Sequence, residues 1–348
     1  MLPQPNFPVR PDEFVGRRQQ VEIFRQSLQQ GLQTGRTASF AVLGDWGIGK
    51  SSLLLKFATL CTQPPFEMLP VFLSASSDIR DYLRLAEIRL DKYADALLAV
   101  PKMQARLRTK LLDWRFRRIN FGSVGLDSES PRLFLSSGSS LLRHSFKEAW
   151  DHFLRPARLN RAIFFLDDLQ NITSISKEDL ALMIRDQFQA FGIEVMNYSV
   201  CFSGSPTILP EQRPWPTQQS GFTRNSIWSL SRSKRHWNTY AQCSACRSTV
   251  SEKVAAWLQE KTRGHPYFIA SIYKYLMATA KQIQPHKLET YWPAILDQLG
   301  REKFRADIAQ LSAKELGLAQ QFASFSESDI PAHHLTGKIH REHCAAPR

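Results

Sequence analysis

The sequence predicts an α/β fold in which helices flank a parallel β-sheet, and three observations support this prediction. A glycine-rich turn joins the first apolar strand to a helical segment, "SSLLLKFATL". A second strand follows that helix, and this βαβ order is typical of parallel sheets. Apolar runs typical of buried strands then recur along the chain. The predicted strands are "ASFAVL" (38–43), "MLPVFLSA" (68–75), "AIFFLDD" (162–168) and "IEVMNYSVCFSGS" (193–205).

Length and composition place the chain among ordinary globular proteins. Its 348 residues are enough for about two domains. The hydrophobic content of 43% and charged content of 22% exclude a disordered polymer. No apolar run approaches the roughly 18 residues of a membrane span, and the N-terminus lacks a signal peptide pattern. We therefore expect a cytoplasmic protein without a membrane span.

The net charge indicates a broad class of binding partner, and the cysteine content bears on disulfide bonds and metal sites. The net charge of +13 favours a polyanion, which could be nucleic acid, anionic lipid or nucleotide. The five cysteines are too few and too scattered for a disulfide framework. For the close pair Cys243 and Cys246, free thiols are favoured over a structural metal site, because no second pair stands at a suitable spacing.

The motif with the clearest chemistry is "GDWGIGKSS" (44–52), which fits the pattern Gly, four residues, Gly-Lys-Ser. Backbone N–H groups of such a loop surround phosphate oxygens, and the helix that follows adds its N-terminal dipole. Lys50 is expected to reach the terminal phosphates and Ser51 to bind Mg²⁺. The sequence therefore predicts an ATP and Mg²⁺ site. Its cofactor-binding residues are Gly44, Asp45, Trp46, Gly47, Ile48, Gly49, Lys50, Ser51 and Ser52.

Two carboxylates at the end of a later strand would complete this site. In "AIFFLDD", Asp167 is the predicted magnesium partner of Ser51, and Asp168 is the candidate base that polarises the attacking water. A structural alternative makes Asp168 a helix N-cap, a position that favours Asp. Both interpretations stay open at the level of sequence.

On these residues the chain resembles the AAA+ and STAND superfamily of P-loop NTPases, and most closely the archaeal-type ATPases that are similar to replication-initiator ATPases. The resemblance spans about residues 12–280. It is most specific at the phosphate loop. The other matching segments are "FVGR" (14–17), "FFLDD" (164–168), "CFSGSP" (201–206) and "RGHPYFI" (263–269).

The resemblance implies further site residues. Val15 and Gly16 would line one side of the adenine and Pro266 the other. Ser203 or Ser205 would contact the γ-phosphate. Hydrolysing relatives usually carry Glu where this chain has Asp168, so the resemblance implies weak hydrolysis. Catalytic roles are therefore predicted for Asp168, Lys50, Ser203 and Arg224, although for Arg224 a position as a surface residue is favoured.

The domain organisation combines composition with this resemblance. We expect an N-terminal segment with the "FVGR" box (1–35) and a nucleotide-binding domain (36–212) that contains a basic helical insert at about 81–155. An irregular linker (213–249), a helical lid (250–300) and a truncated, partial winged-helix segment (301–348) would follow. For the linker and the C-terminal end, a frame disruption and genuine divergence both remain open, and the linker could also be a mobile loop.

The basic insert allows two interpretations. "RLRTKLLDWRFRR" (106–118) carries six cations beside two aromatic residues, a composition that can bind nucleic acid. Alternatively, Leu107, Leu111 and Trp114 share a helix face that docks on the core, and the cations are solvated. The second interpretation is favoured.

Taken together, the sequence predicts an ATP-binding protein that acts as a Mg-ATP-dependent conformational switch with weak ATPase activity. Its partners would be ATP, ADP and an unknown protein. One alternative is a DNA-binding, initiator-like ATPase, with nucleic acid possible but not favoured. Another is a truncated nucleotide-binding interaction module without catalysis. The sequence leaves the oligomeric state undetermined.

Overall fold

The computed structural model describes residues 4–35, 39–75, 82–100, 105–121, 143–173, 177–194, 196–208, 227–230, 251–279, 283–309 and 311–324. The chain forms two compact units, Met1–Lys274 and Tyr275–Arg348. This division lies inside the predicted helical lid, so the lid boundaries at 250 and 300 remain predictions. No helix among the described residues is long and apolar enough to cross a membrane.

The first unit contains a five-stranded sheet in which every pairing is parallel, and this confirms the predicted fold class. The strand order is β2–β3–β4–β1–β5, numbered along the chain. The strands are β1 (Ser39–Gly44), β2 (Leu69–Ser74), β3 (Ala162–Asp167), β4 (Tyr198–Gly204) and β5 (Ile227–Leu230).

Two strands differ from the expectation. The predicted strand 193–205 is wrong in its first half, because Ile193 ends a helix and β4 begins only at Tyr198. The segment 213–249 was expected to be irregular, yet β5 lies within it and pairs with β1 from Ala41↔Ile227 to Gly44↔Leu230. A strand of four residues is too short to produce a visible alternation in the sequence.

In the described residues, helices accompany the sheet of the first unit, and shorter helices make up most of the described part of the second. The first unit has α1 (Arg18–Thr34), α2 (Lys50–Cys61), α3 (Tyr82–Leu98), α4 (Ala105–Phe121), α5 (143–149, continued by the π-helical turn Trp150–Leu154), α6 (Lys177–Ile193) and α7 (Glu252–Thr262). Helix α8 (Pro266–Thr279) begins in the first unit. The second unit contains α9 (Leu288–Leu299), a π-helical turn (Gly300–Phe304), α10 (Arg305–Ala309) and α11 (Ala313–Ser324).

Strands β1 to β4 contribute side chains to cores on both faces of the sheet, because successive side chains of a strand point to opposite faces. Ile163 and Phe165 of β3 pack in a core with residues of α1 and α2, such as Phe24 and Phe57. The intervening Phe164 packs in a second core with α3, α5 and α6. This double burial explains why the strands are almost continuously apolar in the sequence.

An aromatic cluster fastens the insert to the second core. The Tyr93 and Tyr198 hydroxyl oxygens lie 2.8 Å apart, and the Tyr198 hydroxyl donates to the Phe146 carbonyl oxygen at 2.9 Å. Tyr93 is therefore the donor to Tyr198, since a hydroxyl carries only one hydrogen. These bonds join α3, β4 and α5.

The described part of α4 fits the structural interpretation of the basic insert. Leu111 is fully buried and Leu107 packs against the same core. Trp114 is also buried, and its indole N–H donates to Glu148 at 3.0 Å. The Arg115 guanidinium pairs with Asp91 and Asp95 of α3 at 2.7 and 2.8 Å. The aromatic ring and this cation therefore hold the insert together.

The structure describes only part of the predicted C-terminal segment (301–348). The part of the predicted winged-helix segment (301–348) that the structure describes contains α10 and α11. Residues 325–348 of that segment lie outside the described residues. The truncated winged helix remains a prediction.

Candidate nucleotide site

The strand pairing brings the predicted site residues to one edge of the sheet. Parallel strands end on the same side, and β4 lies between β1 and β3. The register pairs Val42 with Ser203 and Leu166 with Phe202. The glycine loop after β1, the carboxylates after β3 and the end of β4 therefore meet at one place, as expected for a ligand site in an open α/β sheet.

The loop between β1 and α2 has the backbone of a phosphate cradle. Gly47 and Gly49 adopt φ angles of 73° and 91°, a left-handed conformation that residues with a Cβ atom rarely adopt. Gly49 immediately precedes α2, so the N-terminus of this helix opens onto the loop. These features match the motif that the sequence predicted.

Lys50 is the first residue of α2, and its side chain turns back under the loop. Its ammonium group donates to the carbonyl oxygens of Gly44 at 3.1 Å and Asp45 at 3.0 Å. Burial lowers the pKa of Lys50, whereas the charges of Asp168, Asp167 and Asp45 act to raise it. The cation is thus held between its own loop and two carboxylates.

Asp167 ends β3 and is buried, with two serine hydroxyl groups beside it. Ser203 donates a short hydrogen bond to its Oδ1 atom, and Ser51 also bonds to the carboxylate. Burial raises the pKa of Asp167, while the bonds from Ser203 and Ser51 lower it. The predicted magnesium partners Ser51 and Asp167 are therefore in contact.

Asp168 is half-buried and begins a short 3₁₀ turn. Its backbone is left-handed at φ 57° and ψ 42°, and its side chain makes no capping hydrogen bond. The side chain instead accepts a hydrogen bond from the Gln170 amide at 2.9 Å. Asp168 therefore occupies the N-cap position of this turn without a side-chain capping bond, and its role as a base stays a prediction.

The two candidate sensor serines have different environments. Ser203 is fully buried, and its hydroxyl accepts a hydrogen bond from the Asp168 backbone N–H at 3.1 Å in addition to the bond it donates to Asp167. Ser205 is half-buried just beyond β4. The structure thus places the Ser203 hydroxyl between the Asp167 carboxylate and the Asp168 backbone.

The "FVGR" segment contacts the phosphate loop. Gly16 adopts φ 89°, and Arg17 adopts φ 52° at the start of α1. The Arg17 guanidinium donates to the carbonyl oxygen of Ile48 at 3.4 Å. Burial lowers the pKa of Arg17 to about 10. The Arg17 side chain therefore links this segment to the loop, and the contact of Val15 and Gly16 with adenine remains a prediction.

The "GHP" turn approaches the same loop. A Cβ atom on Gly47 would lie 2.8 Å from Tyr267 Cβ and 3.0 Å from His265 Cε1. The ring of Trp46, half of which is exposed, meets the Tyr267 ring edge-on with centroids 4.5 Å apart. Pro266 is the first residue of α8 and is half-buried. In the sequence it stands between His265 and Tyr267, the two residues that approach the loop.

Two predicted loop residues use their side chains for folding. Ile48 is buried in the core of α1 and α2. The Ser52 hydroxyl accepts a hydrogen bond from the Val9 backbone N–H at 3.1 Å. Any contact of these two residues with a nucleotide would therefore be made by their backbone atoms.

The sequence predicted no role for three residues that contact the phosphate loop or the carboxylates. Arg17 stood in the quoted "FVGR" segment, and Tyr267 stood in "RGHPYFI". The contact of Arg17 with Ile48 and that of Tyr267 with Gly47 depend on segments far apart in the chain, so no local signal could reveal them. Gln170 lies two residues after Asp168, a spacing that could have suggested a contact.

The residues present fit a nucleotide with Mg²⁺. Mg²⁺ prefers oxygen ligands such as hydroxyl and carboxylate oxygens. Ser51 supplies a hydroxyl group and Asp167 a carboxylate, and the two groups are hydrogen-bonded to each other. Lys50 supplies a cation beneath the glycine loop. Arg224 and the pair Cys243 and Cys246 lie outside the described residues, so their predicted roles remain untested.

Comparisons with known proteins show which family the chain belongs to. A family model of the AAA ATPase domain matches residues 13–195. No curated protein matches the chain at a significant level. Cdc6p from Pyrobaculum aerophilum is similar in structure, at 15% identity and a TM-score of 0.46, over 77% of this chain and 64% of that one. The chain thus covers less than two thirds of that protein.

Two further solved structures show comparable similarity. The Walker-type ATPase of Pyrococcus abyssi is 14% identical over 86% of this chain and 80% of that one, with a TM-score of 0.46. Drosophila ORC bound to DNA is 13% identical over 91% of this chain and 69% of that one, with a TM-score of 0.45. The family model itself covers more than half of the 348 residues, and the protein therefore belongs to the AAA ATPase domain family of ATP-binding P-loop proteins.

Proposed function

We propose that this ATP-binding protein is a Mg-ATP-dependent conformational switch of the STAND type, with weak ATPase activity and a cytoplasmic location. The observation that carries the proposal is the close packing of the phosphate loop against the "GHP" turn, where a Cβ atom on Gly47 would lie 2.8 Å from Tyr267 Cβ. Packing this tight leaves the loop little room to move without the turn.

Lys50 supplies the first step of the proposed switch. Its ammonium group donates to the carbonyl oxygens of Gly44 and Asp45. On ATP binding, the phosphate oxygens would replace these carbonyls as acceptors, because a bond between opposite charges is stronger than one to a neutral carbonyl. Ser51 and Asp167 would hold Mg²⁺, which would supply positive charge to offset that of the phosphates. Release of the two carbonyls frees the loop around Trp46 to change its backbone conformation.

The second step passes from Trp46 to α8. The Trp46 and Tyr267 rings are in edge-on contact, a geometry worth about 0.5 to 1.5 kcal/mol beyond area burial. A change at Trp46 therefore has an energetic consequence at the N-terminus of α8. Pro266 precedes Tyr267, so the predicted adenine contact and the phosphate contact would act on the same turn.

Hydrolysis is proposed to be slow because Asp168 is a short and restrained base. Gln170 holds one carboxylate oxygen at 2.9 Å, and the left-handed backbone fixes the direction of the side chain. Asp also reaches one methylene less far toward the attacking water than Glu. A positioned base contributes roughly 10²- to 10⁴-fold to a rate, and Asp168 would provide the lower part of this range.

The observations do not favour the DNA-binding alternative for the described part of α4. Trp114 is buried and Arg115 is paired with Asp91 and Asp95. We therefore propose that ATP and ADP are the small-molecule ligands and that the partner that responds to the switch is a protein.

The first prediction concerns binding at Lys50. Lys50→Ala removes the cation beneath the loop, and we expect it to abolish the thermal stabilisation by Mg-ATP. At 100 times Kd, this stabilisation amounts to about 2.7 kcal/mol for the wild type. Differential scanning fluorimetry measures the effect. Lys56→Ala, on the same helix but bonded to the Pro11 carbonyl oxygen, is the control that keeps it. Equal shifts in the wild type and Lys50→Ala would contradict the proposal.

The second prediction concerns hydrolysis. Asp168→Asn keeps the size of the side chain but removes the base, so we expect phosphate release to fall roughly 100-fold or more while Mg-ATP affinity stays within a factor of about three. Single-turnover phosphate release, together with calorimetric binding, measures both quantities. If Asp168→Asn hydrolysed ATP as fast as the wild type, Asp168 would not be the base.

The third prediction concerns the switch. Tyr267→Ala removes the ring that contacts Trp46, and we expect it to reduce the protection of residues 263–274 by Mg-ATP in hydrogen exchange. Tyr267→Phe retains a ring and should keep the protection. Mass-spectrometric exchange at saturating nucleotide measures the difference. Identical protection in both variants would show that this contact does not transmit binding.

A further inference from the structure

The Ser203 hydroxyl forms hydrogen bonds with two neighbouring residues. A serine hydroxyl has one hydrogen to donate and two lone pairs that accept. Its hydrogen goes to Asp167 Oδ1, and one lone pair accepts the Asp168 backbone N–H at 3.1 Å. A residue that senses the γ-phosphate must donate to a phosphate oxygen, and Ser203 has no second hydrogen for this purpose.

The surroundings of Ser203 fix this arrangement. Its side chain is fully buried in the centre of the sheet, where its strand pairs with β1 and β3. The next residue, Gly204, leaves no room for a side chain as Ile208 is placed, because a Cβ atom there would lie 1.9 Å from Ile208 Cδ1. The hydroxyl is therefore held by packing on the strand that separates the glycine loop from the carboxylates.

Both bonds act on the geometry of the carboxylates. The bond to Asp167 Oδ1 orients the carboxylate that also contacts Ser51. The bond from the Asp168 N–H supports a left-handed backbone, which is rare for a residue with a Cβ atom and costs free energy unless other contacts hold it. One hydroxyl thus contacts both the carboxylate of Asp167 and the backbone of Asp168.

We propose that Ser203 is a positioning residue that orients Asp167 toward the divalent cation of the nucleotide complex and does not bind phosphate. This inference rests on the proposed Mg-ATP site. It replaces the sensor role that the sequence predicted for Ser203, and it assigns the residue to the metal side of the site.

The experiment compares metal binding with nucleotide binding in Ser203→Ala. Mn²⁺ replaces Mg²⁺ as the probe, and electron paramagnetic resonance titrations with ATP give its affinity for the protein–ATP complex. We expect this affinity to fall about 10- to 100-fold, as is usual when a hydrogen-bond partner of a metal-binding carboxylate is lost. ATP and ADP affinities measured in EDTA should each change less than about threefold.

Two further variants control for structure. Ser199→Ala makes the same substitution at another buried serine of β4 and should keep the wild-type Mn²⁺ affinity. Ser203→Thr retains the hydroxyl and should restore most of the affinity. If Ser203→Ala does not fold, Ser203→Cys takes its place, and its weaker donor should give an intermediate Mn²⁺ affinity.

Two outcomes would overturn the inference. One is an unchanged Mn²⁺ affinity in Ser203→Ala or Ser203→Cys. The other is a loss of ATP over ADP discrimination in EDTA, which would identify Ser203 as a phosphate sensor. Failure of the proposed function is a different result, because the wild-type protein itself would then bind no ATP with or without metal.

Discussion

The parallel pairing of β4 between β1 and β3 is the constraint on which the site depends. This pairing aligns the carboxyl end of β1, at Gly44, with those of β3 and β4, which lie more than a hundred residues later in the chain. Asp167 of β3 and Ser203 of β4 are thereby hydrogen-bonded, and Lys50 at the start of α2 lies within the electrostatic reach of Asp167 and Asp168. Without this register, the phosphate loop would have no acidic neighbours.

The site holds charges of both signs at close range. Lys50 is buried, which disfavours its charged form, and three aspartates oppose that effect. Asp167 is also buried, and serine hydroxyl groups support its ionised form. Such buried charges cost free energy when left alone and favour a ligand that brings compensating charges of both signs. A triphosphate with a divalent cation has this composition.

The sequence predicted the sheet and the phosphate loop well because both leave local patterns. Glycine spacing, the apolar runs of β1 to β3 and the aspartates after β3 are all read within a few residues. The start of β4 was missed because Ile193 and Met196 extend the apolar run beyond the strand. Strand β5 was missed because four residues show no period.

The contacts between distant segments could not be predicted from local patterns. The approach of Gly47 to Tyr267 and the bond from Arg17 to Ile48 depend on how the termini of the first unit fold over the loop. The role of Ser203 was predicted from its position at a strand end, and only the direction of its hydrogen bonds indicates the carboxylates. Tertiary geometry therefore changed the interpretation of a residue whose importance was visible in the sequence.

The central claim is that the loop at residues 44–52 recognises the phosphates of ATP together with a cation. Isothermal titration calorimetry with ATP and AMP, each with and without Mg²⁺, tests it most directly. We predict that AMP binds at least about 100-fold more weakly than Mg-ATP, a difference of about 2.7 kcal/mol, and that removal of Mg²⁺ weakens ATP binding. Equal affinities for AMP and Mg-ATP would contradict the account, because the phosphate loop would then contribute nothing to recognition.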